Sequence, residues 1–274
     1  MTTVTVAAPS RLPLWRTIGQ AYALWGGNLP DLVRVCWFWM LLMAPVFAFL
    51  TWWQAPLAME LLQTARIGQP FVDPNPLLTM LTQIVAKVVG LPALASIAVA
   101  WHRLLLKDEH PGAGLYLRLD GIVAGYAVLA FWVGLITLAP SYVSMMLQSM
   151  AAHGHPLAAG VQFLAGVGTI TALFVVARLS LVLPGKALGR DDITFGAAWR
   201  VSKGNTWRML WAYFFCILPL MVLGGGTSYW LFQPDHGRAA LTLVPLVPSL
   251  LAIPLGMISV GMLSLSYRHF FERS

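Results

Sequence analysis

Long apolar segments recur along this chain, and nearly every Lys and Arg falls at alternate ends of them. Each apolar run needs about 20 residues to cross roughly 30 Å of hydrocarbon as a helix. Six stretches meet that length: 32–53, 86–106 with an apolar lead-in from Pro76, 121–139, 158–183, 207–230 and 241–267. The pattern predicts an all-α, polytopic membrane bundle of about six transmembrane helices. Composition agrees, since 58% hydrophobic and 10% charged residues inverts a water-soluble surface, which carries about a quarter charged residues.

Residues 1–10 read as a disordered, polar tail, 11–267 as a single six-helix membrane domain and 268–274 as a short tail. No removable signal peptide is evident before the first span. Loop charge then orients the bundle. On one side lie Arg11, Arg16, Arg34, Arg103, Lys107, Arg118, Arg178, Lys186, Arg190, Arg200, Lys203, Arg208, Arg268 and Arg273, on the other only Arg66 and Arg238, and Lys87 sits near the start of the second span. This 14-to-2 bias, with 1 ambiguous, accounts for all 17 basic residues and predicts both termini in the cytoplasm. The net charge of +7 is spent on topology, so no nucleic acid is expected as a partner.

The approaches to the first and fifth spans resemble each other. Thr17, Ile18, Gly19, Ala21, Tyr22, Gly27 and Asn28 align with Thr194, Phe195, Gly196, Ala198, Trp199, Gly204 and Asn205. Each copy predicts an amphipathic helix in the membrane interface, with Trp15, Tyr22, Trp199 and Trp207 as aromatic anchors at headgroup depth. The Gly of each Gly-Asn pair is expected to turn left-handed and the Asn to cap the following span. A shorter amphipathic lead at 115–120 is expected before the third span. Gly121 with Gly125, and Ala93 with Ser96 and Ala100, provide small faces for close helix packing. The two cysteines, Cys36 and Cys216, fall inside spans and read as small apolar residues.

Polar groups concentrate at the ends of the second and fourth spans. Arg103, Arg178, His102 and Lys186 are the candidate contacts for an anionic lipid headgroup, because a guanidinium pairs with phosphate oxygens in bidentate fashion. The competing expectation is an Arg–carboxylate network, with Asp120 or Glu109 opposite Arg178. An acid–base pair of His102 with Asp108 or Glu109 is the catalytic alternative, and helical spacing puts His102 and Glu109 on one face, but no nucleophile motif or phosphate-cradling loop accompanies it. Met145, Met146, Met150, His153 and His155 have the ligand types of a cuprous site, or equally of one apolar face beside a Gly turn. No catalytic residue, cofactor or metal site is assigned.

The runs Ala98-Val99-Ala100-Trp101-His102-Arg103, 177–184, Thr194-Phe195-Gly196-Ala197-Ala198-Trp199-Arg200 and Lys203-Gly204-Asn205-Thr206-Trp207-Arg208 resemble a family of six-helix bacterial inner-membrane proteins of unassigned activity. More distantly they are similar to the membrane domain of bacterial glycerophosphodiester phosphodiesterases. The resemblance implies a six-helix module without the hydrolase domain or its metal ligands. The expectation is a lipid-associated or protein-interaction membrane module whose partners are the bilayer, anionic headgroups and a membrane protein or second copy. A small-molecule or ion carrier is the runner-up, and an enzyme acting on a lipid phosphate ranks third.

Overall fold

A computed structural model describes residues 11–67, 73, 75–112, 114–152, 158–231 and 238–272. The 1–10 tail, His153 and His155 lie outside the described residues, as do the side chains of Met145, Met146 and Met150. The described chain is helical without strands: α1 (Leu14–Gly27), α2 (Leu29–Arg66), α3 (Pro76–Lys107), α4 (Gly121–Ala152), α5 (Ala158–Leu179), α6 (Val182–Ala187), α7 (Phe195–Val201), α8 (Thr206–Leu231) and α9 (Arg238–Phe271). Six helical segments are long and apolar enough to cross a membrane, which makes this a multi-pass membrane protein of all-α architecture.

Several helices outrun the bilayer. The 38 residues of α2 extend about 57 Å at 1.5 Å per residue, because Gln54, Glu60 and Gln63 continue a sequence of good helix formers after the apolar run ends. The run predicted as one span over 158–183 is a single apolar span, Gln162–Ala187, with a turn at Ser180 and Leu181 between α5 and α6. Pro184 has no N–H for the Ser180 carbonyl, which accepts from the Leu183 N–H at 2.9 Å instead. At the chain's end, α9 continues through Arg268 to Phe271.

The last helix is the hub: α9 packs against α1, α2, α3 and α8, while α4 pairs with α5 and α3. Three apolar clusters result. One joins α3, α4 and α6, the second α2, α3 and α9, and the third α1, α8 and α9. Cys36 and Cys216 are buried in the second and third, as the apolar reading expects. Ala93, Ser96 and Ala100 are likewise buried, so the small face of α3 does admit close neighbours.

The two Gly-Asn corners differ. Gly204 adopts φ +80°, the left-handed turn expected of it, and the Asn205 side chain accepts the Leu12 N–H at 2.8 Å. Gly27 stays helical within α1, and the Asn28 amide donates back to the Leu24 carbonyl at 2.8 Å, closing α1 rather than opening α2. The 115–120 segment is irregular rather than helical. Its alternation of exposed Leu115, Leu117 and Leu119 with half-buried Tyr116 and Arg118 has the period of extended chain.

Helix α1 is held against the bundle by polar bonds as well as by Thr17, Ile18 and Ala21, which are buried. Tyr22 Oη donates to the Phe215 carbonyl at 2.7 Å. That carbonyl lies four residues before Pro219, whose ring nitrogen has no proton to offer it. Trp25 Nε1 donates to the Pro254 carbonyl in α9 at 2.8 Å.

Candidate functional site

One end of the bundle gathers almost all the charge. Helix α3 stops at Lys107 because Asp108 turns left-handed at φ 55°, and the chain behind it folds into a lattice of ion pairs. Arg103 Nε donates to Glu109 at 2.8 Å, and Arg118 reaches Glu109 at 3.6 Å and Asp120 at 2.7 Å. Asp120 also caps α4 by accepting the Val123 N–H at 2.9 Å. His110 Nδ1 bonds Asp31 at 2.7 Å, and Asp31 pairs with Arg34 at 3.2 Å. The neighbouring turn contributes Lys186–Asp191 at 2.6 Å and a bidentate Arg190–Asp192 pair, with Arg190 also donating to Tyr267 Oη at 3.3 Å.

The electrostatics follow the geometry. The hydrogen bond from Arg103 holds the Glu109 carboxyl below its ordinary range, against partial burial and with help from Arg118 and Lys107. The hydrogen bond to Asp31 raises His110. Arg190 likewise lowers Asp192 through their hydrogen bonds. Arg103, Glu109, His110, Tyr116 and Arg118 ring a cavity of about 280 Å³ floored by Val35, Ala100 and Leu104.

Arg178 meets neither Asp120 nor Glu109. Its guanidinium stacks 3.6 Å over the Trp199 ring, Nε donates to Ser202 Oγ at 3.0 Å, and one terminal nitrogen donates to the Trp199 carbonyl. It therefore closes the last turn of α7, where basic groups complement the exposed carbonyls, and holds Trp199 by cation–π attraction. Lys186 lies over Gly125 of α4, where an added Cβ would collide with the lysine stem. Gly125 thus makes room for a side chain from α6, whereas a Cβ at Gly121 would meet nothing within 4 Å.

His102 is 0% exposed. Nδ1 bonds Ser264 Oγ at 2.7 Å and Nε2 bonds Tyr126 Oη at 3.3 Å, which ties α3 to α9 and α4. A ring enclosed in this way offers nothing to a headgroup. It does not pair with Glu109 either, since the left-handed turn at Asp108 ends the helical face the two were expected to share.

Among the aromatic anchors, Trp15 and Trp207 are 68% and 64% exposed; their rings lie against Phe215 at 5.3 Å and Phe174 at 4.7 Å. Trp199 is partly exposed over Arg178, whereas Tyr22 spends its hydroxyl inside the bundle. The structure adds a group that the sequence reading left unassigned. Arg16 and Arg268, from α1 and α9, border one small cavity with Gln20 and His269, and no described carboxylate pairs with either arginine. Helical spacing could have placed Arg16 and Gln20 together, but only the fold brings Arg268 to them. No known protein family, curated protein or solved structure matches the chain.

Proposed function

We propose that this is a bacterial inner-membrane module that engages anionic lipid headgroups through its basic end, with that end and both termini in the cytoplasm. One observation carries the reading. Asp31, Glu109, Asp120, Asp191 and Asp192 are taken up by Arg34, Arg103, His110, Arg118, Lys186 and Arg190, and the exposed Glu272 is in no described ion pair, so Arg16, Lys203 and Arg268 face the surroundings without an acidic partner among the described residues. Basic residues near an anionic surface each contribute about 1 kcal/mol, and Trp15, Trp199 and Trp207 supply amphipathic rings at the same end.

The carrier reading draws less support, since the buried polar groups His102, Ser264 and Tyr126 bond one another rather than line a route. The test is lipid retained after mild detergent extraction from membranes containing phosphatidylglycerol. Arg16→Gln with Arg268→Gln, and separately Lys203→Gln, should lower phosphatidylglycerol relative to phosphatidylethanolamine. Equal anionic-lipid content in the wild type and all variants overturns the proposal.

A further inference from the structure

Another cavity lies away from the basic end. It is a groove of about 330 Å³ between α2, α3 and α9, within the roughly 300–1,000 Å³ typical of small-molecule sites. Met43, Phe47 and Ile253 are apolar lining, while Gln54, Gln83 and Lys87 are polar. Lys87 precedes Lys107 on the same unbroken helix, so about 30 Å of helix separates the two ammonium-bearing positions. That is one hydrocarbon thickness, which sets Lys87 at the interface opposite the basic end.

Two observations point to an occupant. No described carboxylate lies within ion-pair distance of Lys87, although Glu60 and Asp73 border the adjoining cavity that shares Gln54. A lysine near the end of a spanning helix carries its ammonium to the interface, where an anionic headgroup can meet it. Gly90, one turn further into the membrane, is buried, yet a Cβ there would meet nothing within 4 Å. The groove therefore combines open apolar space toward the bilayer centre with a cation and two amides at its outer mouth.

We propose that this groove holds one acyl chain of an anionic phospholipid from the leaflet opposite the basic end, with its phosphate on Lys87 and the Gln54 and Gln83 amides beside it. The inference goes beyond the basic-end reading and does not depend on it. Charge complementarity selects the anionic headgroup, and the apolar length below selects the chain.

The experiment reconstitutes the full chain in nanodiscs of mixed phosphatidylglycerol and phosphatidylcholine, then counts lipids retained per protein by native mass spectrometry. The wild type should keep one phosphatidylglycerol in preference to phosphatidylcholine. Lys87→Gln should reduce that preference about tenfold, the scale of one lost charge-assisted contact, and Lys87→Arg should preserve it. Gly90→Phe fills the groove while leaving Lys87 in place, and should lose the bound lipid as well. Retention unchanged in Lys87→Gln or in Gly90→Phe overturns the proposal. Phosphatidylglycerol with a diazirine in its chain tests the unaltered protein: crosslinks should fall on α2, α3 and α9 near Met43 and Ile253, and crosslinks confined elsewhere overturn it too. Loss of headgroup retention in Arg16→Gln/Arg268→Gln alone would fail the groove and leave the basic-end reading standing; loss in the Lys87 and Gly90 variants alone would do the reverse.

Discussion

Asn205 Oδ1 accepts the backbone N–H of Leu12 at 2.8 Å across 193 residues of chain. The Leu12 carbonyl is taken as well, by Arg208 Nη1 at 2.8 Å. The entry to α1 and the start of α8 are thus fastened through one buried peptide, which explains why Leu12 is 0% exposed although it lies outside any helix.

Removing that fastening should be costly. Asn205→Ala leaves a buried N–H without this acceptor, a loss of about 1–3 kcal/mol. Thermal unfolding in detergent checks it, with a lower midpoint expected for Asn205→Ala and a much smaller change for Lys203→Ala on the exposed side of the same turn.

Tyr22→Phe removes the donor that meets the Phe215 carbonyl, at a cost of about 1 kcal/mol. In a Pro219→Ala background that carbonyl regains a helical N–H, so the cost of Tyr22→Phe should shrink. A double-mutant cycle on unfolding free energy reads the coupling, and strictly additive effects would contradict the role assigned to Tyr22.

The chain after α3 should be held most firmly in a window of pH. His110 is raised by Asp31, so its stabilisation is complete below its ordinary 6.5 and is lost as pH climbs through the raised value. Glu109 is lowered by Arg103, so its contribution is present above its ordinary 4.5 and is lost as pH falls through the lowered value. A spin label at Leu117→Cys should be least mobile between those limits. His110→Gln should abolish the change on the alkaline side alone.

Reporter fusions test the proposed orientation. A fusion at Ser274 should report cytoplasm, and one within 148–156 should report the other compartment. A cytoplasmic signal from the second site contradicts the model of charge and sidedness.

The six spans were legible because twenty-residue apolar runs and end-loaded charge are one-dimensional properties. Their ends were less so: α2 runs past its apolar stretch on helix propensity alone. The 115–120 segment was misread because its three leucines alternate with Tyr116 and Arg118 at a period of two, and a six-residue window also permits a short amphipathic helix. Pairing was the least legible feature. Arg178 finds Trp199 and Ser202 rather than a carboxylate because the turn after α5 returns α7 to its side, and nothing in the local sequence marks that return. The two Gly-Asn pairs look equivalent as letters, yet only the second meets a free peptide N–H, that of Leu12.

Because α9 is the hub, the order of synthesis matters. Ribosomes deliver α1, α2, α3 and α8 before the helix that binds all four, so the earlier spans enter the membrane without their common neighbour. During that interval Ser264 has not yet emerged, and the His102 ring lacks one of its two partners. An incompletely inserted chain consequently leaves the His102 ring with Tyr126 alone of its two hydrogen-bond partners.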